Sequence, residues 1–515
     1  MNLAQFFEHW GVTENPFRGE EARHDAVFSR MAAAGETGAR KPGAFHSEFE
    51  KILGELTTPS TAVVFGEKGS GKTAIRLQIS DRVSEHNANA DAEQRGGKLF
   101  VINYDDLNRF LDRFHARTGK SDPMDSFKRI RLVDHMDAIL ALGVTPLVGS
   151  LMGDADADSR LGKLPSRRAI RALPSSLRQD LLALQAVYDM SETAGARTGR
   201  LRRGLGLGLP MPMIAWTLVA VMGWVIPAAV VALFIWLDAE LNQQWLIFFG
   251  VAVLLWGVLV AKRFVWDKGA ARAQGRRLVR QLKMLSRVEQ SYADSLGQLP
   301  AELRRPNLLP MSDSDEQRYA MLDRFRRVLG ELGFTGILIV MDRVDEPTLI
   351  SGDPERMRAV VWPMFNNKFL QQDRIGFKLL LPIELRYALF RESAAFFQEA
   401  RLDKQNLVER LSWTGAMLYD LCDARLQACR ATGAEPIGLL NMFDEDVTRQ
   451  DLVDALDQMH QPRDAFKFLY RCFNEHCSNV TQEQNAYRVP RLVLESVRKA
   501  EADRVQQLYR GIRPA

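Results

Sequence analysis

Apolar residues fall into three kinds of segment along this chain. Thr61 to Phe65, Lys98 to Asn103, Gly336 to Met341 and Ile375 to Leu381 are short apolar runs of strand length without polar alternation. That is the pattern of strands buried on both faces of a parallel sheet. Between them lie segments with helical spacing: Ser47 to Leu56, Ala74 to Val83, Leu107 to His115, and a stretch to about Leu332 for which Ser312 to Asp315 offers N-cap residues. Strand alternating with helix predicts an α/β fold, a parallel sheet with helices on both faces. Ser126 to Met190 is mostly helical in spacing, broken by a polar stretch at Gly153 to Ser159 and by Pro165 and Pro174, and predicts an inserted helical arm. Glu21 to Arg40 is small and polar and is expected to be a loop, and the chain from Arg391 onward is expected to be helical.

The third kind of segment is longer. Met213 to Leu237 is a run of about 25 apolar or small residues without a charge, and Trp245 to Ala261 is a second run of about 17. Runs of this length, flanked by Trp236, Trp245 and Trp266, predict two transmembrane helices joined through Asp238 to Gln244. Arg197, Arg200, Arg202 and Arg203 precede the first run and Lys262, Arg263 and Lys268 follow the second, while the only polar side chains at the tip are acids and amides. The positive-inside rule then places both flanks in the cytoplasm and the tip outside. With no ionisable residue inside either run, anchoring or packing is a simpler role than ion conduction. Ala228 with Ala232, and Gly257 with Ala261, would allow close helix approach, and Pro227 would kink the first span. Gly204 to Pro210 is expected to be a flexible joint, and Ala270 to Leu299 a stalk helix ended by Pro300, Pro306 and Pro310.

The candidate chemistry sits between these elements. Gly66 Glu67 Lys68 Gly69 Ser70 Gly71 Lys72 Thr73 matches the GxxxxGK[ST] loop in every fixed position, with a strand before it and a helix after it. Glycines let the backbone wrap phosphate oxygens, and the helix running from Ala74 adds the positive end of its dipole. Lys72 is expected to reach the β and γ phosphates of ATP, and the Thr73 hydroxyl to ligate Mg²⁺. A second centre is Asp342 Arg343 Val344 Asp345 Glu346, at the tip of the apolar run Gly336 to Met341. Asp342 is the candidate for holding Mg²⁺, and Asp345 or Glu346 for orienting the attacking water. A surface turn with acidic residues is the alternative for that segment.

Composition excludes more than it selects. With 46% hydrophobic and 26% charged residues the chain is not of disordered type. A net charge of +4 from 68 basic and 64 acidic residues does not mark a nucleic-acid-binding chain, and no nucleic-acid motif is evident. Cys422, Cys429, Cys472 and Cys477 are too few and irregular for a disulfide scaffold, and with His460 and His476 they match no zinc spacing, so buried reduced thiols are expected. The segment Met1 to Trp10 lacks the features of a cleaved signal peptide.

Taken together the chain resembles the KAP group of P-loop NTPases, related to the STAND and AAA families, in which transmembrane helices are inserted between Walker A and Walker B. Here Met213 to Ala261 lies between Lys72 and Asp342. Asp342 to Glu346 departs from the DDLDR pattern of that group towards the DGLDE form of STAND proteins. The resemblance implies a backbone cradle from Gly66 to Ala74, Glu384 as a candidate γ-phosphate sensor, and Arg463, opening a helix after Gln461 and Pro462, as a lid arginine at the nucleotide, with a surface arginine in the first turn as its alternative. A similar Asn-Pro-Phe segment precedes the nucleotide fold in several AAA-related ATPases, which would put Phe17 beside the adenine, with ordinary packing as its alternative.

The expected organisation is a first part of the NTPase core at 1–125, a helical insertion at 126–203, the hairpin at 204–267, a stalk at 268–311, the second part of the core at 312–400 and a helical lid at 401–515. The expected function is a cytoplasmic ATPase or ATP-dependent switch anchored in the inner membrane with both termini inside. It would act as a homo-oligomer or with a protein partner, in prokaryotic defence as the resemblance implies. A secretion or envelope-assembly ATPase, and an ATP-binding pore or scaffold with little hydrolysis, are the alternatives.

Overall fold

A computed structural model describes residues 1–18, 21–32, 45–93, 97–154, 161–208, 211–236, 243–481 and 486–509. Its centre is a five-stranded sheet built from β1 (Ala62–Gly66), β2 (Lys98–Tyr104), β3 (Phe334–Met341), β4 (Ile375–Pro382) and β5 (Asn406–Val408). The order is β2-β3-β4-β1-β5 and all four pairings are parallel. Every residue of β1 and of β4 is buried, which is why their sequences run apolar without alternation. Side chains of alternate residues divide between two cores. Val63, Phe65, Phe100 and Ile339 pack with helices Leu132–Met152, Ser175–Tyr188 and Asp315–Glu331, whereas Val64, Leu338, Val340 and Leu380 pack with Ile75, Ile79 and Val83 of helix Lys72–Glu93. Helices therefore cover both faces, as the pattern predicts.

Several boundaries differ from expectation. The supposed arm is part of the main core. Leu132–Met152 is long and apolar enough to cross a membrane, but most of it is buried, with Gly143 directly beneath the Phe325 ring. The polar break at Gly153 to Ser159 lies mostly outside the described residues. The sheet extends past the expected end of the core at 400, because β5 pairs with β1. The N-terminal residues belong with the C-terminal helices. Phe6, Phe7, Val12, Phe17 and Val27 share one core with Leu418, Cys422, Phe468, Cys472 and Phe473. Within the expected loop at Glu21 to Arg40, residues Ala26–Ala32 form a helix, and 33–40 lie outside the described residues.

The apolar runs form helices Met211–Met222, Val225–Trp236 and Gln243–Ala261. By length and composition Ile214–Trp236 and the helix running on from Gln243 to Gln281 are sufficient to cross a membrane, and their large side chains stay exposed, as at Leu254 (65%) and Ile235 (69%). The first run breaks at Gly223 and Trp224, one turn before Pro227, which has no N–H to give, and the Gly223 carbonyl accepts instead from the Ile226 N–H at 3.1 Å. Close approach occurs elsewhere than at the small-residue pairs. A Cβ on Gly223 would lie 2.8 Å from the Trp256 ring, and the Trp256 Nε1–H donates to the Ala220 carbonyl at 3.0 Å. Ala228, Ala232, Gly257 and Ala261 are exposed. Most of the tip, 237–242, and the end of the joint, 209–210, lie outside the described residues.

The stalk is not one helix to Leu299. Asp267–Gln281 ends at Leu282, the chain turns with Leu282, Met284 and Leu285 buried, and Glu289–Gly297 packs back on it, so closely that a Cβ on Gly275 would meet the Glu289 carbonyl at 2.9 Å. Of the cations expected on the first flank, Arg200 and Arg203 are exposed. Arg197 is buried against Asp189 and Asp154, and Arg202 donates to Gln298.

Candidate functional site

In a parallel sheet all carboxyl ends lie on one edge, and the ends of β1 and β3 flank that of β4. The loop leaving β1 turns through Gly69 and Gly71 at φ +97° and +95°, a conformation that only glycine adopts without strain, and enters helix Lys72–Glu93. A Cβ on Gly66 would lie 2.4 Å from Ser70 Oγ, so the turn closes on itself. Trp413, just beyond β5, fixes it from outside: its Nε1–H donates to the Ser70 carbonyl at 2.8 Å, and its ring packs edge-on against His46.

Lys72 is half-buried, and its Nζ donates to the carbonyls of Gly66 (2.7 Å) and Glu67 (2.9 Å). Burial holds the ammonium below its ordinary value, opposed by the charges of Asp345, Asp342, Glu384 and Glu67. The Thr73 hydroxyl donates to Asp342 Oδ2 at 2.9 Å. Arg76, one turn further along the helix, sets Nε 3.4 Å from the same oxygen and Nη1 2.8 Å from Asp105 at the end of β2, and Arg23 also pairs with Asp105 at 2.9 Å. Asp342 is 1% exposed. Burial raises its carboxyl above the usual range, while Arg76, the Thr73 hydrogen bond and Lys72 pull it back towards the ionised form.

Arg23, Lys72, Thr73, Asp342 and Trp413 line one cavity of about 350 Å³, within the size of small-ligand sites. Lys68, Gly69, Gly71, Lys72, Thr73 and Ala74 face it from the loop and helix, and Asp342, Asp345 and Glu346 from the end of β3. Arg463 closes it from helix Pro462–Asn479. A Cβ on Gly69 would touch the Arg463 Cβ at 3.0 Å, and Arg463 Nε has no partner among the described residues. Ser70 lies behind the loop with its buried Oγ unpartnered. Glu67 turns its side chain away, to Arg410 at 2.6 Å and to Gln461. The two carboxylates proposed for water differ: Glu346 is half exposed and paired with Arg343, and Asp345 carries the largest of the charge effects on Lys72.

Phe17 does not reach this cavity. It is buried against Phe473, ring centroids 5.9 Å apart, so its packing alternative is the one realised. The aromatic contributed by that part of the chain is Phe28, with Met31 beside it. The four cysteines are buried, and among the described residues no group of three His, Cys, Asp or Glu is placed to hold a metal unaided. Trp413, Arg76, Phe28 and Arg425 belong to no motif and were not legible from spacing. Comparison of the chain with family models, with curated proteins and with solved structures finds no match.

Proposed function

We propose that the protein is a membrane-anchored ATPase or ATP-operated switch whose nucleotide lies in this cavity with Mg²⁺. The observation that carries the reading is the 2.9 Å contact between Thr73 Oγ1 and Asp342 Oδ2. A hydroxyl from the glycine-rich loop and a carboxylate from another strand meet at the mouth of a cavity that also takes Lys72. A hydroxyl and a carboxylate suit Mg²⁺, which prefers oxygen ligands and leaves its other positions to water and phosphate. The loop fits a polyphosphate: a glycine backbone in the left-handed region and the N-terminus of a 22-residue helix. When bound, the metal would neutralise charge on the phosphates. Lys72 would hold phosphate oxygens, Asp345 would orient water, and Arg463 would meet the nucleotide from the C-terminal helices.

The apolar helices support the anchor, because their exposed side chains form a surface that water disfavours and lipid accepts. Their place between β2 and β3, after Lys72 and before Asp342, is what supports kinship with the KAP group. Both flanks and the core would face the cytoplasm, with the lipid bilayer as the first partner. Binding of Mg²⁺ and a fluorescent ATP analogue to the purified protein tests the reading. Lys72→Ala is expected to abolish it, and equal affinity in parent and variant would remove the assignment.

A further inference from the structure

The cavity lining falls into two groups by contact. Around the loop are Lys68, Lys72, Arg463 and the carboxylates, and a second group is built on Arg425. Leu421 and Arg425 lie four residues apart on helix Gly415–Ala428, hence on one face, and both line the cavity. The Arg425 guanidinium lies over the Phe466 ring, 4.4 Å from its centroid, with Phe28 and Met31 also lining the cavity. It is 3% exposed and held on two sides: Nε donates to the Pro16 carbonyl at 2.7 Å and Nη1 pairs with Asp25 Oδ2 at 2.6 Å. Nη2 has no acceptor among the described residues. A buried charged donor left without an acceptor is costly, and one fixed this firmly cannot turn away to find one.

We infer that Arg425 is a specificity residue, donating from Nη2 to a ring-nitrogen acceptor of the nucleotide base, which the apolar wall of Phe28, Met31, Leu421 and Phe466 receives. This rests on the nucleotide reading above and extends it. A flat apolar wall with one fixed donor suits a heteroaromatic ring and not a hydrated phosphate. Asp25 adds no discrimination between adenine and guanine, because its Oδ2 is taken by Arg425 and its Oδ1 by the backbone N–H groups of Val27 and Phe28. The same pairing makes the N-terminal segment part of the base site.

Calorimetric binding of ATP, tripolyphosphate and the 1-, 3- and 7-deaza analogues of ATP, each with Mg²⁺, tests this on the full chain in detergent. Loss of one hydrogen bond to a charged donor corresponds to roughly 10- to 100-fold in affinity. One deaza analogue is expected to bind the parent weaker by that factor. The difference should vanish in Arg425→Met and Arg425→Lys, whose tripolyphosphate affinity should equal the parent's. Unchanged tripolyphosphate binding also reports that the variants are folded. Equal affinity of the parent for ATP and all three analogues, or a penalty that persists in both variants, overturns the inference while leaving the nucleotide site intact. Failure of the parent to bind tripolyphosphate and ATP alike would instead overturn the nucleotide reading itself.

Discussion

Arg76→Met isolates what keeps the Asp342 carboxylate charged inside the protein. Arg76 Nε lies 3.4 Å from Asp342 Oδ2, with side chains 5% and 1% exposed. Two unit charges at that distance attract by about 5 kcal/mol at an effective dielectric near 20, and removing one partner of a buried pair costs about 3–5 kcal/mol. Burial already raises the Asp342 carboxyl, so the folded protein holds this proton to higher pH than the unfolded chain. Stability therefore falls as pH rises from the ordinary carboxylate value through the raised one. Removing Arg76 raises the carboxyl further and carries that fall to higher pH. At pH 5 the variant holds more of its Asp342 protonated than at pH 8, so the expected loss is smaller there, and what remains comes from Asp105, which keeps Arg23. At pH 8 the loss is expected at about 3–5 kcal/mol. Urea unfolding at the two pH values, followed by tryptophan fluorescence, measures the difference. Mg²⁺-dependent nucleotide binding should run the other way and weaken most at pH 5, because a protonated Asp342 is a poor ligand for the metal. An equal loss of stability at pH 5 and pH 8 would refute the argument, since it would assign the effect to the arginine stem or its pair with Asp105 and not to Asp342.

Three further outcomes are expected. Asp345→Asn should retain nucleotide binding and lose phosphate release, whereas Glu346→Gln, which only releases a surface pair with Arg343, should change turnover less than about threefold; the reverse ranking would exchange their roles. Gly415→Ala would put a Cβ 2.1 Å from the Val453 carbonyl and is expected to lower stability by about 2–3 kcal/mol, read as a fall in thermal midpoint; a melting curve matching the parent would show that the two helices part freely. A cysteine at Gln243 should react with an impermeant thiol reagent in intact cells against a low background, because the four native cysteines are buried; labelling only after lysis would reverse the orientation.

What was legible in the sequence was what neighbours in the chain decide. β1 and its loop could be read because an apolar run, a glycine spacing and a helix onset are all local, and β3 could be read from the apolar run Gly336 to Met341, two residues short of the strand's start at Phe334. β5 was missed: three residues, Asn406 to Val408, carry no period, and their place in the sheet is set by β1. The turn after Gln281 was missed for a related reason. Lys283 to Val288 contains neither proline nor glycine, and the helix ends because Leu282, Met284 and Leu285 are taken into the core of the sheet. Phe17 and Phe28 are eleven positions apart in one N-terminal segment, yet one is committed to Phe473 and the other to the cavity. Only contacts from distant parts of the chain separate them. Arg425 is illegible for the same reason, being one arginine among many until Asp25, Pro16 and Phe466 are placed around it.

The connections of the apolar helices bear on whether a change at the proposed nucleotide site can reach them. A long free stalk would act as a lever, but Asp267–Gln281 is clasped by Glu289–Gly297, and that helix also packs against Ala194–Gly204, which leads into the first apolar run. Arg287 binds this block to the core through the Ala186 carbonyl at 2.6 Å, and Thr198 joins Ser295 at 2.8 Å. The supposed flexible joint is partly pinned, since Arg171 donates to the Gly204 carbonyl at 2.9 Å and Arg178 to that of Leu205 at 2.7 Å. Among the described residues both connections thus leave from one packed base. On the second, the π turn at Lys262–Trp266 follows the apolar helix, and there Arg263 donates to Thr217 Oγ1 at 2.7 Å and ties the two helices together. A nucleotide-driven change would therefore have to move this base as a whole, with the helices Leu132–Met152, Ser175–Tyr188 and Asp315–Glu331 on which it rests. Closely packed layers of that kind shift between discrete arrangements and do not bend by degrees.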